Sequence, residues 1–233
     1  SDESRGLGDV YKRQELAEEF AKVRSDFDFV GIKRSGCSQL ANVNMVNCDY
    51  SLGLPEQFKK DNYDWVIFFP KTSGNSPDDY KIGYLSQMTA INDHFPSAKK
   101  IFISSTRIYS GYSNIIVDEN TPPKPSDEQG EIIELYESEA LKHGNNFVLR
   151  LGGLITHNSN FVKLVIDKQL FLNNKYINGI FISDVINLMA KIMQEGIGQQ
   201  LINVIMPKYM KYSDFDSAFK LSLIHISEPT RLV

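Results

Sequence analysis

Four hydroxyl-bearing side chains fall within six residues of one another in the stretch Ile103-Ser-Ser-Thr-Arg-Ile-Tyr109: Ser104, Ser105, Thr106 and Tyr109. A hydroxyl both donates and accepts hydrogen bonds, so such a cluster can hold the oxygen of a bound carbonyl or alcohol. A tyrosine could also exchange a proton with it if neighbouring charges lowered the phenol pKa. The residues before the cluster, Lys100 to Ile103, are basic at the mouth and then β-branched or aromatic, the pattern of a short buried strand. A parallel strand would carry the hydroxyls to its carboxyl end. In an open α/β sheet that edge binds ligands, because the crossover connections leave a crevice there. The same residues would also suit a strand exit whose hydroxyls only satisfy their own backbone.

The rest of the chain bounds what this cluster can belong to. With 233 residues there is room for one full core or one domain with a small appendage. A charged fraction of 23%, a hydrophobic fraction of 42% and a net charge of −4 describe an ordinary soluble protein, with no feature that calls for nucleic acid or a membrane surface. Apolar runs such as Trp65 to Pro70 fall far short of the ~20 residues of a membrane span. Cys37 and Cys48 match no metal-ligand or CxxC spacing, and no metal site is expected. Both thiols read as reduced and structural, which places the protein in the cytoplasm.

Both ends look foreign to the chain. Ser4 to Gln14 resembles the in-frame translation of a transposase-type sequencing adapter, and Leu221 to Arg231 resembles the same adapter read from the opposite strand. Residues 1–14 and 221–233 are therefore set aside, leaving Glu15 to Lys220 as native material from a longer gene. This removes Gly6-Leu-Gly8 as a phosphate-loop candidate, since no apolar strand precedes it and Tyr11 stands where a third glycine is due.

Within the native stretch, strands and helices alternate without hairpin turn signals, which argues for a parallel, doubly wound sheet. Helices are expected over Glu15–Ser25, Leu52–Lys60, Pro77–Phe95, Asp127–His143, Val162–Leu170 and Ser183–Glu195, the last with Ser183 as its N-cap. A further helix begins at Ser213. Strands are expected over Phe27–Lys33, Val43–Cys48, Tyr63–Pro70, Lys100–Ile103, Asn146–Leu151 and Leu201–Met206, with Tyr176–Phe181 extended. The strand ending in Lys33-Arg34-Ser35-Gly36 resembles the second strand of a dinucleotide fold, whose tip faces the adenosine ribose. A guanidinium there suits a 2′-phosphate, so Arg34 favours NADP over NAD, although an ordinary solvated basic turn would look the same. Asp49, at the end of the next strand, could accept from an adenine amino group.

Taken in order, Gly31-Ile-Lys-Arg-Ser35, Cys48-Asp49, Val66-Ile-Phe-Phe-Pro70, Ile103 to Tyr109, Val117-Asp-Glu-Asn-Thr-Pro122, Val148-Leu-Arg-Leu-Gly-Gly153 and Ile180-Phe-Ile-Ser-Asp184 resemble the extended short-chain dehydrogenase/reductases. The likeness is to the atypical NAD(P)-dependent epimerase/dehydratase-like group and covers Glu15 to Lys220. It implies a Rossmann-like doubly wound parallel sheet, with a small substrate-side region from about residue 153 that is cut short. It also implies that NADP or NAD is held by Lys33, Arg34, Asp49, Phe68, Phe69 and Ser104, and that Ser105 is the active-site hydroxyl. Arg150 and Asp184 fall at family positions more structural than chemical.

Two departures limit the likeness. The family's Tyr-x-x-x-Lys pair is absent: none of the eleven tyrosines has a lysine four residues on, and Gln129 and Ile133 stand at the aligned positions. Tyr136 is nearby, but Ala140 is in its partner position. The family's first strand and glycine-rich loop, which bring backbone N–H groups to the pyrophosphate, should precede Glu15 and are missing. Their loss would expose a ladder edge on each side and weaken or abolish cofactor binding. The expected function is that of an NAD(P)-binding oxidoreductase or epimerase-like enzyme acting on a small molecule that the sequence does not identify. The alternatives are a non-catalytic dinucleotide-binding sensor or scaffold, and a truncated product with no function.

Overall fold

The computed structural model describes residues 15–24, 27–33, 43–48, 53–56, 58, 63–113, 115–156, 161–172, 174–208 and 210–214. Both adapter-like ends, Arg34, Cys37 and Asp49 lie outside them, as do most of the helix expected over Leu52–Lys60 and nearly all of the one beginning at Ser213.

The chain runs through helix α1 (residues 15–23) and strands β1 (Phe29–Lys33), β2 (Val43–Asn47) and β3 (Trp65–Phe68). Helix α2 follows as Pro77–Tyr80, a π-helical stretch Lys81–Ser86 and Gln87–His94. Strand β4 (Lys99–Ser105) then leads through a 3-10 turn, Thr106–Tyr109, to α3 (Glu128–Leu141) and β5 (Asn146–Leu151). Strand β6 (Gly153–Ile155), α4 (Phe161–Asp167), β7 (Gly179–Phe181), α5 (Ile182–Glu195) and β8 (Leu201–Val204) complete the order.

Strands β3, β4, β5 and β8 form one sheet in that spatial order, and every pairing is parallel. The side-chain period of two sorts β4 and β5 onto two cores. Ile101, Ile103, Phe147, Leu149 and Leu151 face α1 and α5, where they meet Leu16, Phe20, Val185 and Met189. Phe102 and Val148 face α2 and α3, against Met88, Ile91, Ile133 and Tyr136. With both faces covered, β4 is buried from Lys100 to Ser104 and β5 along its whole length, which explains the unbroken apolar runs in the sequence. This is the Rossmann-like, doubly wound arrangement expected.

Strands β1 and β2 pair in parallel as a separate two-stranded sheet. Among the described residues no strand joins β1 to β3, and none pairs with the second edge of either. Phe29 nevertheless packs on the first core and Ile32 on the second, the same two cores that β3 contacts through Trp65 and Val66.

Three local features depart from expectation. Ser183 is not the N-cap of α5: that position is Phe181, with no side-chain cap, and Ser183 lies in the first turn. Strand β7 feeds straight into the helix, so the chain turns before Ser183 is reached. Strand β5 ends at Leu151 as expected, but Gly153 then opens an unexpected short strand, β6, which pairs in parallel with β7. A Cβ on Gly152 would lie 2.9 Å from Asn178 Oδ1, and the Gly153 N–H donates to the Asn178 carbonyl at 2.9 Å, so the glycine pair permits this close approach. The π-helical stretch in α2 contains Gly83, where a Cβ would meet the Lys71 carbonyl oxygen at 2.5 Å. The segment after β3 lies directly on the helix there.

Candidate functional site

Because β3 and β4 are parallel and in register from Trp65↔Lys99 to Phe68↔Phe102, their carboxyl ends share one edge of the sheet. Phe69, half-buried, follows β3 at this edge, and Ser105 closes β4. Lys33 closes β1 in the separate pair; Arg34 and Asp49 lie outside the described residues.

Alternation sends the two serines to opposite faces. Ser104 is buried and its hydroxyl donates to Glu137 Oε1 on α3. Ser105 is half-buried; its Oγ accepts from the Arg107 N–H at 3.2 Å and caps the 3-10 turn, which leaves the hydroxyl hydrogen free for another acceptor. Thr106 Oγ1 accepts from Asn178 Nδ2 at 2.7 Å, tying this edge to the β6–β7 region.

The nearby tyrosines are committed elsewhere. Tyr109 is 7% exposed, donates to the Asp118 carbonyl at 2.8 Å and accepts from Arg150 Nη1. Tyr136 is fully buried, donates to the Ile103 carbonyl at 3.2 Å, and is ringed by Phe68, Tyr84 and Phe102. Gln129 donates to the Asn75 carbonyl at 2.8 Å and accepts from Arg107 Nη2 at 3.4 Å. Ile133 is buried in the second core.

Arg107 is the cation of this edge. It grips Asp127 with Nε at 3.2 Å and Nη2 at 2.8 Å, and it approaches the Tyr80 hydroxyl at 3.4 Å. Asp127 also caps α3 by accepting from the Gly130 N–H. The Arg107 hydrogen bond holds the Asp127 carboxyl below its usual range, and the same bond raises Arg107.

The residue-type reading missed a buried polar network behind the site. Arg150 on β5 donates to Glu137 Oε2 through Nε at 2.9 Å and Nη2 at 2.7 Å, with both side chains almost fully enclosed. Burial raises the Glu137 carboxyl, against the opposing pull of Arg150 and Ser104. The signal was in the sequence: Glu137 sits on the apolar stripe Ile133, Tyr136, Ala140, and Arg150 interrupts Val148-Leu149-x-Leu151. Two charges in otherwise buried runs need each other. Asp184 is exposed in the first turn of α5 and takes no part.

This edge can therefore hold an oxygen at Ser105, but neither tyrosine nearby is poised to exchange a proton with it. Among the described residues no group of His, Cys, Asp and Glu could hold a metal ion, and no helix is long and apolar enough to cross a membrane.

No family model and no curated protein matches this sequence. Solved structures do. A Methylobacillus flagellatus protein assigned as an NAD-dependent epimerase/dehydratase superposes with a TM-score of 0.71 at 17% identity, over 94% of this chain and 81% of that one. The dTDP-glucose 4,6-dehydratase of Bacillus anthracis, solved with NAD, gives 0.71 at 12% identity over 90% and 77%. The ADP-L-glycero-D-manno-heptose-6-epimerase of Helicobacter pylori gives 0.71 at 14% identity over 89% and 79%. The chain shares the fold of these epimerase and dehydratase structures. Within the epimerase/dehydratase fold, identities this low establish architecture and leave the chemistry to the residues themselves.

Proposed function

We propose that this chain is the NAD(P)-binding part of an epimerase/dehydratase-like oxidoreductase that lacks the usual tyrosine–lysine proton relay. The carrying observation is the half-buried Ser105 hydroxyl at the carboxyl edge of a parallel sheet; the family resemblance puts Gln129 and Ile133, neither able to exchange a proton, at the relay positions. A dinucleotide suits this edge: Phe69 and Ser105 stand together at the carboxyl ends of the parallel strands β3 and β4, the edge at which open sheets of this kind bind their ligands. A bound dinucleotide supplies or accepts hydride. Ser105 orients the oxygen of a small-molecule substrate, while Phe69 and the backbones of Phe68 and Ser104 line the cofactor side; the Phe68 ring itself is buried in the second core. Lys33, Arg34 and Asp49 serve the adenosine end, and Arg34 selects the 2′-phosphate of NADP through a forked pair of donors.

With the facing edges of β1 and β3 unpaired among the described residues, this chain binds dinucleotide weakly. A longer form carrying a strand between them and a glycine-rich loop binds it well. A second reading, occupancy-linked signalling without turnover, is favoured by the tethering of Gln129 to Asn75 and Arg107, which holds a non-titratable side chain in place.

The test is equilibrium binding of NADPH and NADH to the longer form, with and without Arg34→Ala. A preference for NADPH of about tenfold or more, lost in the variant, supports the reading. Equal affinities before mutation reduce Arg34 to a solvated turn residue.

A further inference from the structure

At the opposite end of the sheet, where β4 and β5 begin, a cavity of about 360 Å³ opens between the last turns of α2 and α3. Its polar lining comprises Lys100, Lys142, His143, Asn92, Asn145 and Asn146, and no Asp or Glu side chain lines it. Lys142 and His143 follow α3, and the Lys142 charge complements the free carbonyls of the last turn and pairs with Glu139 at 2.5 Å. That accounts for Lys142 and not for Lys100.

Lys100 is carried by β4 and is 4% exposed. Side-chain alternation places it on the same face as Phe102 and Ser104, toward α2 and α3. Among the described residues, its ammonium has one hydrogen bond, to the Ala98 carbonyl two residues back at 3.0 Å, and no carboxylate partner. An ammonium has three donors and is costly to bury without a counter-charge. Burial accordingly lowers the Lys100 pKa, which an anion in the cavity would reverse. The side chains around it supply more donors: Asn145 stands at the rim, and Asn92 on α2 is half-buried.

We propose that this cavity binds a phosphate group, with Lys100 as the buried cation and Lys142, His143 and Asn145 as the outer donors. Lys100 precedes Ser105 by five residues of extended chain, roughly 17 Å at the usual strand rise, so the site is separate from the dinucleotide edge and does not depend on it.

The test is titration of the full chain with inorganic phosphate and with ribose 5-phosphate, followed by the backbone amide resonances of residues 142–146, against chloride at matched ionic strength. Saturable shifts specific to phosphate, weakened about tenfold or more in Lys100→Met and less in Lys142→Ala, are expected. Tighter binding of the sugar phosphate would identify a phosphorylated metabolite as the ligand; equal binding would identify free phosphate. Equal shifts with chloride, or unchanged affinity in Lys100→Met, overturn the proposal. Should that variant fail to fold, acylation of the unmodified protein decides: phosphate must protect Lys100 while leaving its exposed neighbour Lys99 reactive, and equal labelling with and without phosphate refutes the site.

Discussion

Glu137 and Arg150 meet across the α3–β5 interface as an enclosed ion pair, in which one carboxylate oxygen takes two guanidinium donors at 2.9 and 2.7 Å. The remaining carboxylate oxygen accepts from Ser104, and Arg150 Nη1 donates to Tyr109. The network therefore braces the strand that delivers Ser105. Arg150→Met leaves a buried carboxylate without its cation and should cost about 3–5 kcal/mol of stability. Arg150→Met combined with Glu137→Leu should cost less than Arg150→Met alone, because no charge is then stranded. Denaturant unfolding of the three proteins measures both.

Asp127 joins the Arg107 ion pair to the N-cap of α3, and its carboxyl is lowered in the folded state. A carboxyl whose folded pKa lies below its unfolded value stabilises the fold above the ordinary aspartate value of 3.8. It loses that contribution as pH falls through the folded value. Asp127→Asn keeps a good capping residue and removes the charge, so it should cost only about 0.5 kcal/mol at neutral pH, the pair being partly exposed. It should also lose less stability than the parent as pH falls from about 5. Asp127→Ala removes the cap as well and should cost about 1–2 kcal/mol. Thermal melts across this pH range separate the variants.

Gly83→Ala sets helix propensity against space. Alanine favours a helix interior by about 1 kcal/mol, yet its Cβ would lie 2.5 Å from the Lys71 carbonyl oxygen and 3.0 Å from Thr72 Cα, both backbone atoms that cannot swing aside. The steric cost should win, lowering stability by a net ~1–2 kcal/mol, as read from the unfolding midpoint.

Tyr136→Phe removes a hydrogen bond to Ile103 from a fully enclosed ring and should cost about 1 kcal/mol. Dinucleotide affinity should be unchanged, because the hydroxyl points into the core, as binding titration of the variant will show.

Much of this architecture was legible because it rests on short-range pattern. The apolar run Trp65 to Phe68 and the break from Ile103 into Ser104-Ser105 mark strands and their ends directly. What escaped depended on contacts between distant residues. The pairing of Glu137 with Arg150 needs β5 beside α3, and the π-helical stretch needs Lys71 against Gly83. Strand β6 needs Asn178 near Gly153. Ser183 failed as a cap for a local reason, since capping depends on where the chain turns, and it turns two residues earlier, at Phe181. Ser104 and Ser105 are adjacent in sequence, but only their opposite facings show that one hydroxyl is committed to Glu137 while the other caps the 3-10 turn at the sheet edge.

The central claim is a dinucleotide edge with an orienting hydroxyl and no proton relay. The measurement that tests it most directly is the steady-state turnover of the longer form at saturating cofactor, read as sugar-nucleotide conversion by chromatography and as NADPH consumption with simple carbonyl compounds. An ordinary turnover of about 10 s⁻¹, less the ~10²–10⁴-fold that a positioned acid or base supplies, predicts kcat no higher than about 0.1 s⁻¹. A rate in the ordinary range that Tyr136→Phe abolishes would contradict the account and reinstate a tyrosine base.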